Sequence, residues 1–233
     1  MIVDNFQKIA GILPEAENPR DSMFLIQLVV RHKDGHLGAA NGNNRNRTIR
    51  SYQINTVEEL LKKEKEIKAL CDFFRARAYI NINPKNTVEV LLKQMELINQ
   101  TLMCMWNGDH KIMLRGTLDG ALARTGEDDA EFGDVDPQDL ALIQTLAEKR
   151  HRTWVVDCDD LSTVDDVRER IKNSRKTIKN VIVAEIPTKS GMHFITYPFD
   201  HVTAFEGMAE KPDIKRNSYT LLYFNDEVKC YIE

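Results

Sequence analysis

Two stretches carry the side chains best suited to chemistry. Trp154-Val-Val-Asp-Cys-Asp-Asp160 is an apolar, β-branched run that ends in three carboxylates. Further on, Val181-Ile-Val-Ala-Glu-Ile-Pro-Thr-Lys-Ser-Gly-Met-His-Phe-Ile-Thr196 is a second apolar run that breaks at Lys189-Ser190-Gly191 and restarts through His193. Side chains alternate faces along a strand, so Asp157 and Asp159 fall on one face and Cys158 on the other. Two carboxylates on one face repel unless a cation lies between them. Their oxygens suit Mg²⁺ or Mn²⁺, which polarise phosphates and activate hydroxyls. Asp157 and Asp159 are therefore candidate catalytic and metal-binding residues. The competing reading is that the acidic residues only start the turn into the next helix, and Asp160 fits such a cap or turn role best.

His193 sits just after a polar hairpin tip, where an imidazole can donate to a phosphate or transfer protons near neutral pH. Lys189 and Ser190 are candidate substrate-binding donors beside it, and Gly191 lets backbone approach an anion closely. A structural histidine under an exposed tip is the plainer alternative. Near the N-terminus, Arg31, Lys33, Arg45, Arg47 and Arg50, with His32 and His36, surround the Gly/Asn tract Asn41-Gly-Asn-Asn-Arg-Asn-Arg47. Such a loop can clamp phosphates or a nucleic-acid backbone, or simply carry solvated charge. Arg77 and Tyr79, alternating on a later strand, either line the same cleft or form an ordinary cross-strand pair. Trp106 and Trp154 read as core rather than as stacking platforms.

These residues must be positioned by their surroundings. The chain has 233 residues, room for one large domain or two packed modules, with 42% hydrophobic and 29% charged residues, a composition of globular rather than disordered proteins. A net charge of −4 argues against a general nucleic-acid coat but leaves room for a local basic groove. Cys71, Cys104, Cys158 and Cys230 form no C-x-x-C pair, which disfavours a zinc ribbon or a disulfide framework and fits a reducing cytosol. No signal peptide and no membrane-spanning run is recognisable, so a cytoplasmic location without membrane partners is expected. Also missing are G-x-x-x-x-G-K-[ST], G-x-G-x-x-G, G-x-S-x-G and H-E-x-x-H.

Hydrophobic periodicity predicts an α+β protein. Residues 1–22 read as a lead-in. Strands over 23–30 and 48–54, a helix opened by Asn55 or Thr56, a strand over 76–82 and a helix over 87–104 make an N-terminal ββαβα module, residues 1–104. Val88, Leu91, Leu92, Met95, Leu97, Ile98 and Leu102 are the expected core face of its last helix. Residues 105–152 read as an acidic, Gly-rich connector with a short helix over 139–150. Residues 153–233 then offer a strand over 153–157, a helix from 162, strands over 180–186 and 192–197, a short helix within 200–208 and a closing strand over 218–224. That βαββαβ order is the ferredoxin-like or RRM-like pattern, an antiparallel sheet backed by helices, on which the first module would pack.

The order of parts resembles the archaeo-eukaryotic primase, or primase-polymerase, superfamily. Asp157-Cys-Asp159 matches its strand-end Asp-x-Asp motif, and Ser190-Gly-Met-His193 approximates its Ser-x-His hairpin with one residue more. Asp226, after Leu221-Leu-Tyr-Phe-Asn225, is the nearest candidate for its third acidic motif, with Asp200 as fallback. The resemblance implies metal-dependent nucleotidyl or phosphoryl transfer. Asp157, Asp159 and Asp226 would hold Mg²⁺ or Mn²⁺. His193 and Lys189 would contact nucleotide phosphates, and the basic loop would hold a template. The texture of Arg-Ala-Tyr-Ile-Asn and Glu-Ile-Pro-Thr-Lys-Ser-Gly-Met-His also looks like proteins encoded by large bacteriophages, which implies action in a host cytoplasm. The alternative from another class is a non-catalytic module that holds a nucleotide, RNA or a host protein in the same cleft.

Overall fold

The computed structural model describes residues 1–14, 22–31, 34, 46–93, 95–96, 99, 152–174, 180–216 and 219–227. Ile2–Asp4 is a short strand, β1, and Phe6–Ala10 a short helix, α1. The apolar run forms β2 (Ser22–Val30), buried along its whole length, which a strand covered on both faces requires. β3 (Arg47–Ile54), α2 (Val57–Phe74) and β4 (Arg77–Asn81) follow where patterning places them. α2 opens in the manner of a capping box: the Thr56 hydroxyl accepts from Glu59 N–H at 3.1 Å, and the Glu59 carboxylate accepts from Asn55 N–H at 2.7 Å. It closes on Arg75 in the left-handed region, φ 52°. The two-residue β5 (Lys85–Asn86) pairs with β2 and leads into α3, helical over 87–93, where Asn86 Oδ1 accepts from Val88 and Glu89 N–H.

After residue 152 come β6 (Trp154–Cys158), α4 (Val164–Asn173), β7 (Ile182–Pro187), β8 (Met192–Thr196), α5 (His201–Ala204), β9 (Asp213–Lys215) and β10 (Tyr219–Asn225). The result is an α+β fold with two antiparallel sheets. The first has the order β1-β10-β4-β2-β3 with β5 beside β2; the second has the order β7-β8-β6-β9.

Three local expectations are corrected. The lead-in holds a strand and a helix: β1 pairs with β10, and Phe6 and Ile9 of α1 are fully buried. The last strand does not close the second sheet but runs between β1 and β4 in the first. Its side chains explain this. Leu221 and Phe224 enter one apolar cluster and Leu222 and Tyr223 another, so β10 needs cover on both faces, which a central position provides. The short β9, with polar ends, takes the free edge beside β6 instead. Finally, α3 turns Val90 inward, fully buried, and leaves Val88, Leu91, Leu92 and Met95 half exposed or more; helix phase is set by which side chain meets the sheet, here Val90 against Leu25 and Tyr79. The connector expected over 105–152, apart from its last residue, lies outside the described residues, as do Leu97, Ile98 and Leu102.

The sheets share a core. Val155, Ile186 and Ile195 of the second sheet join Ile26, Leu28, Ile80 and Leu222 of the first in one cluster. On its opposite face the second sheet packs Val156, Cys158 and Phe194 beneath α4 and the α5 region, with Trp154 beside them, as expected of a core tryptophan. Polar clasps pin the seam. Asn5 Nδ2 donates to Pro187 O and Leu221 O, and Asn83 holds Thr153 through its N–H, hydroxyl and carbonyl.

Candidate active-site cleft

Where the shared apolar packing ends, the seam opens into a cleft of about 160 Å³. Alternation along the strands decides what faces it. On β6, Val155 packs against the first sheet while Asp157 and Asp159, two and four residues on, reach the cleft. The registers then assemble a row across three strands. Asp157 lies opposite His193 of β8 on one side and opposite Asp213 of β9 on the other. Asp157, Asp159, His193, Lys189, Ser190, Arg31 and Arg77 all line the cleft. The fold thus gathers the two motifs at one place, together with two side chains contributed by the N-terminal sheet.

The row is tightly connected. His193 Nε2 stands 3.2 Å from Asp157 Oδ1, and Lys215 Nζ stands 3.3 Å from Asp157 Oδ2. On its far side the His193 ring meets the Thr220 hydroxyl, 3.0 Å from Nδ1. A hydroxyl both donates and accepts, so the ring keeps its orientation in either protonation state. Thr220 is fully buried in β10, so this histidine of one sheet is held by the other. Burial alone pushes the Asp157 carboxyl upward, but the His193 hydrogen bond and the neighbouring Lys215 charge outweigh it and hold it down at about 2.

Asp159 and Asp213 differ. Both line the cleft, and neither has a hydrogen bond or ion pair among the described residues. Asp160, by contrast, accepts from Ser162 N–H and hydroxyl at 2.8 and 2.6 Å. It fills the turn role expected of it, and those bonds lower its carboxyl. Among the described residues no three histidine, cysteine or carboxylate groups stand close enough to make a ready-formed metal cluster.

The cationic wall is itself paired. Lys189 Nζ lies 3.1 Å from Asp226 and 4.0 Å from Asp34. Arg77 Nε donates to Asp34 at 2.8 Å, and its guanidinium stacks on Phe224. Arg31 donates to the Tyr79 hydroxyl at 3.3 Å. Asp226 meets Lys189 and is not among the cleft-lining residues, whereas Asp213 lines the cleft opposite Asp157. Arg47 is exposed on β3 and also does not line the cleft. Lys33 lies outside the described residues.

Gly191 fixes the hairpin tip against the carboxylates. A Cβ there would sit 1.9 Å from the Cys158 carbonyl oxygen and 3.0 Å from the Asp159 carbonyl carbon, so the β7–β8 turn lies directly on the end of β6. Its N–H, expected to face an anion, donates instead to the Thr188 hydroxyl at 3.0 Å, while Thr188 N–H returns a bond to Gly191 O. Residues that sequence reasoning missed are Asp213, Lys215, Thr220 and Asp34. The first two had a signal: Pro212-Asp-Ile-Lys215 reads as a short edge strand with both polar residues on one face. Thr220 and Asp34 had none.

No helix among the described residues is long and apolar enough to cross a membrane. No protein-family model matches the chain, and no curated protein or solved structure matches it significantly.

Proposed function

We propose that the cleft binds the phosphates of a nucleotide or nucleic acid and carries out divalent-metal-dependent nucleotidyl or phosphoryl transfer of a primase-like kind. One observation carries this reading: the row Asp213–Asp157–His193 across three neighbouring strands, with Asp159 beside it and Lys189, Arg31 and Arg77 facing it. Element order adds support. β6-α4-β7-β8-α5-β9 with the sheet order β7-β8-β6-β9 agrees with an RRM-like catalytic module.

The carboxylate oxygens are of the kind that suits a hard divalent ion. Asp159 and Asp213 offer carboxylates without a partner among the described residues, and Asp157 lies between a histidine and a lysine, already at a position that attracts cations. These three would hold Mg²⁺ or Mn²⁺, which when bound supplies charge neutralisation and alignment for an attacking hydroxyl. The chain's own residues do the rest. Lys189 and Arg31 bind and orient phosphate oxygens as charge-assisted donors. His193, oriented by Thr220, moves a proton at Nε2 next to Asp157.

The test is Mn²⁺-dependent nucleotide incorporation or phosphate release by the whole chain, compared with Asp159→Asn/Asp213→Asn. Loss of turnover in a folded double variant supports the assignment, and retained metal-dependent turnover removes it. A second reading, a non-catalytic module for a nucleotide, RNA or a host protein, is favoured by the pairing of both Asp157 oxygens. Nucleotide binding that survives chelation, without turnover, would select it.

A further inference from the structure

Asp157 and Asp213 lie directly opposite each other on neighbouring strands, an arrangement in which like charges destabilise the pairing. The chain supplies its own remedy. Lys215, two residues beyond Asp213 and on the same face of β9, pairs with Val155 in register and reaches diagonally to Asp157 Oδ2 at 3.3 Å. The other oxygen, Oδ1, is met by His193 Nε2 at 3.2 Å. Lys215 is 23% exposed and Asp157 15%, so water and salt screen the contact poorly. An ammonium therefore occupies one oxygen of the carboxylate at which the proposed ion would bind.

We infer that Lys215 is a resident counter-ion that competes with the divalent metal at Asp157 and thereby couples metal binding to phosphate binding. The inference rests on the metal-and-phosphate reading above. A divalent ion held by Asp157 would repel the ammonium, which is anchored on β9 at the wall of the same cleft and so would stay beside any phosphate bound there. A phosphate group that draws Lys215 to itself uncovers Asp157 for the metal. Each ligand then strengthens the other, by the same factor in both directions. Without phosphate, two cations compete for one carboxylate, and the metal alone binds weakly.

The experiment measures Mn²⁺ affinity of the whole chain by electron paramagnetic resonance of free Mn²⁺, with and without a nucleoside monophosphate, which itself holds Mn²⁺ only weakly. In Lys215→Met, affinity without nucleotide is expected to rise by roughly 5- to 10-fold, while the nucleotide-induced gain seen in the wild type falls towards none. Lys215→Arg keeps the charge and should resemble the wild type. Lys215→Gln, which keeps a hydrogen bond without charge, carries the expectation of Lys215→Met should that variant fail to fold. Equal Mn²⁺ affinity in the wild type and the folded neutral variants would overturn the counter-ion role alone. No Mn²⁺ binding by any of them would overturn the metal reading and the inference together.

Discussion

In the first sheet, β2 buries Gln27 completely, and neither the amide oxygen nor the amide nitrogen has a hydrogen-bond partner among the described residues. In the second, β6 leaves Asp157 partly buried, 15% exposed, with both carboxylate oxygens met, and His193 is held in turn by Thr220. The first sheet is apolar on both faces, with one cluster against α1 and α2 and another that includes Val90 of α3. The second is apolar beneath its helices but divided on the other face, where Val155, Ile186 and Ile195 join the common core and Asp157, Asp213 and Lys215 do not. A buried polar group without partners costs stability, whereas a satisfied network fixes geometry. The contrast sets one unpartnered amide of the first sheet against a connected polar network in the second, at the point where its face leaves the first.

The sharpest way to break that contrast is at Gly191. Gly191→Ala drives a methyl group into the Cys158 carbonyl, and since neither neighbour is a flexible side chain, the hairpin must lift off β6. A loss of about 3 kcal/mol or more is expected in urea unfolding, along with displacement of Lys189 and Ser190 from the cleft. Gly11→Ala is the control. There the nearest atoms lie at 3.6 Å and φ is −74°, so a change within about 0.5 kcal/mol is expected.

Next in size is the acid dependence of Asp157. Its carboxyl is held at about 2 against an ordinary 3.8, so the folded state binds this proton less readily than the unfolded state. The associated stability is fully present above the ordinary value and is lost as pH falls from there through about 2. It amounts to about 2 kcal/mol. Asp157→Asn should lack that increment at neutral pH, and its unfolding free energy should converge with the wild type's towards pH 2. Parallel curves across that window would mean that the His193 and Lys215 contacts contribute nothing net.

The smallest effect has the opposite sign. Gln27→Leu replaces an unpartnered buried amide with an apolar side chain of similar size and should gain about 1 kcal/mol, read as a higher urea midpoint with unchanged slope. Destabilisation would show that the amide groups are satisfied in solution, and the contrast between Gln27 and Asp157 would then fall.

Much was legible locally. β-branched runs, the Thr56 cap and the Lys189–Gly191 break place β2, β3, α2, β4, β6, β7 and β8 within a residue or two, because alternation and capping depend on near neighbours in the chain. The Asp157/Asp159 face followed from the same periodicity. What no local pattern contains is the choice of partner strand. β10 looks like a strand from its composition, but its place between β1 and β4 depends on finding apolar cover for both faces. That choice leaves the position beside β6 to β9, so Asp213 rather than Asp226 joins Asp157, and Thr220 comes to rest against His193. Residue order and charge determined which side chains could do chemistry; strand pairing, a contest among distant segments for buried surface, decided which of them meet.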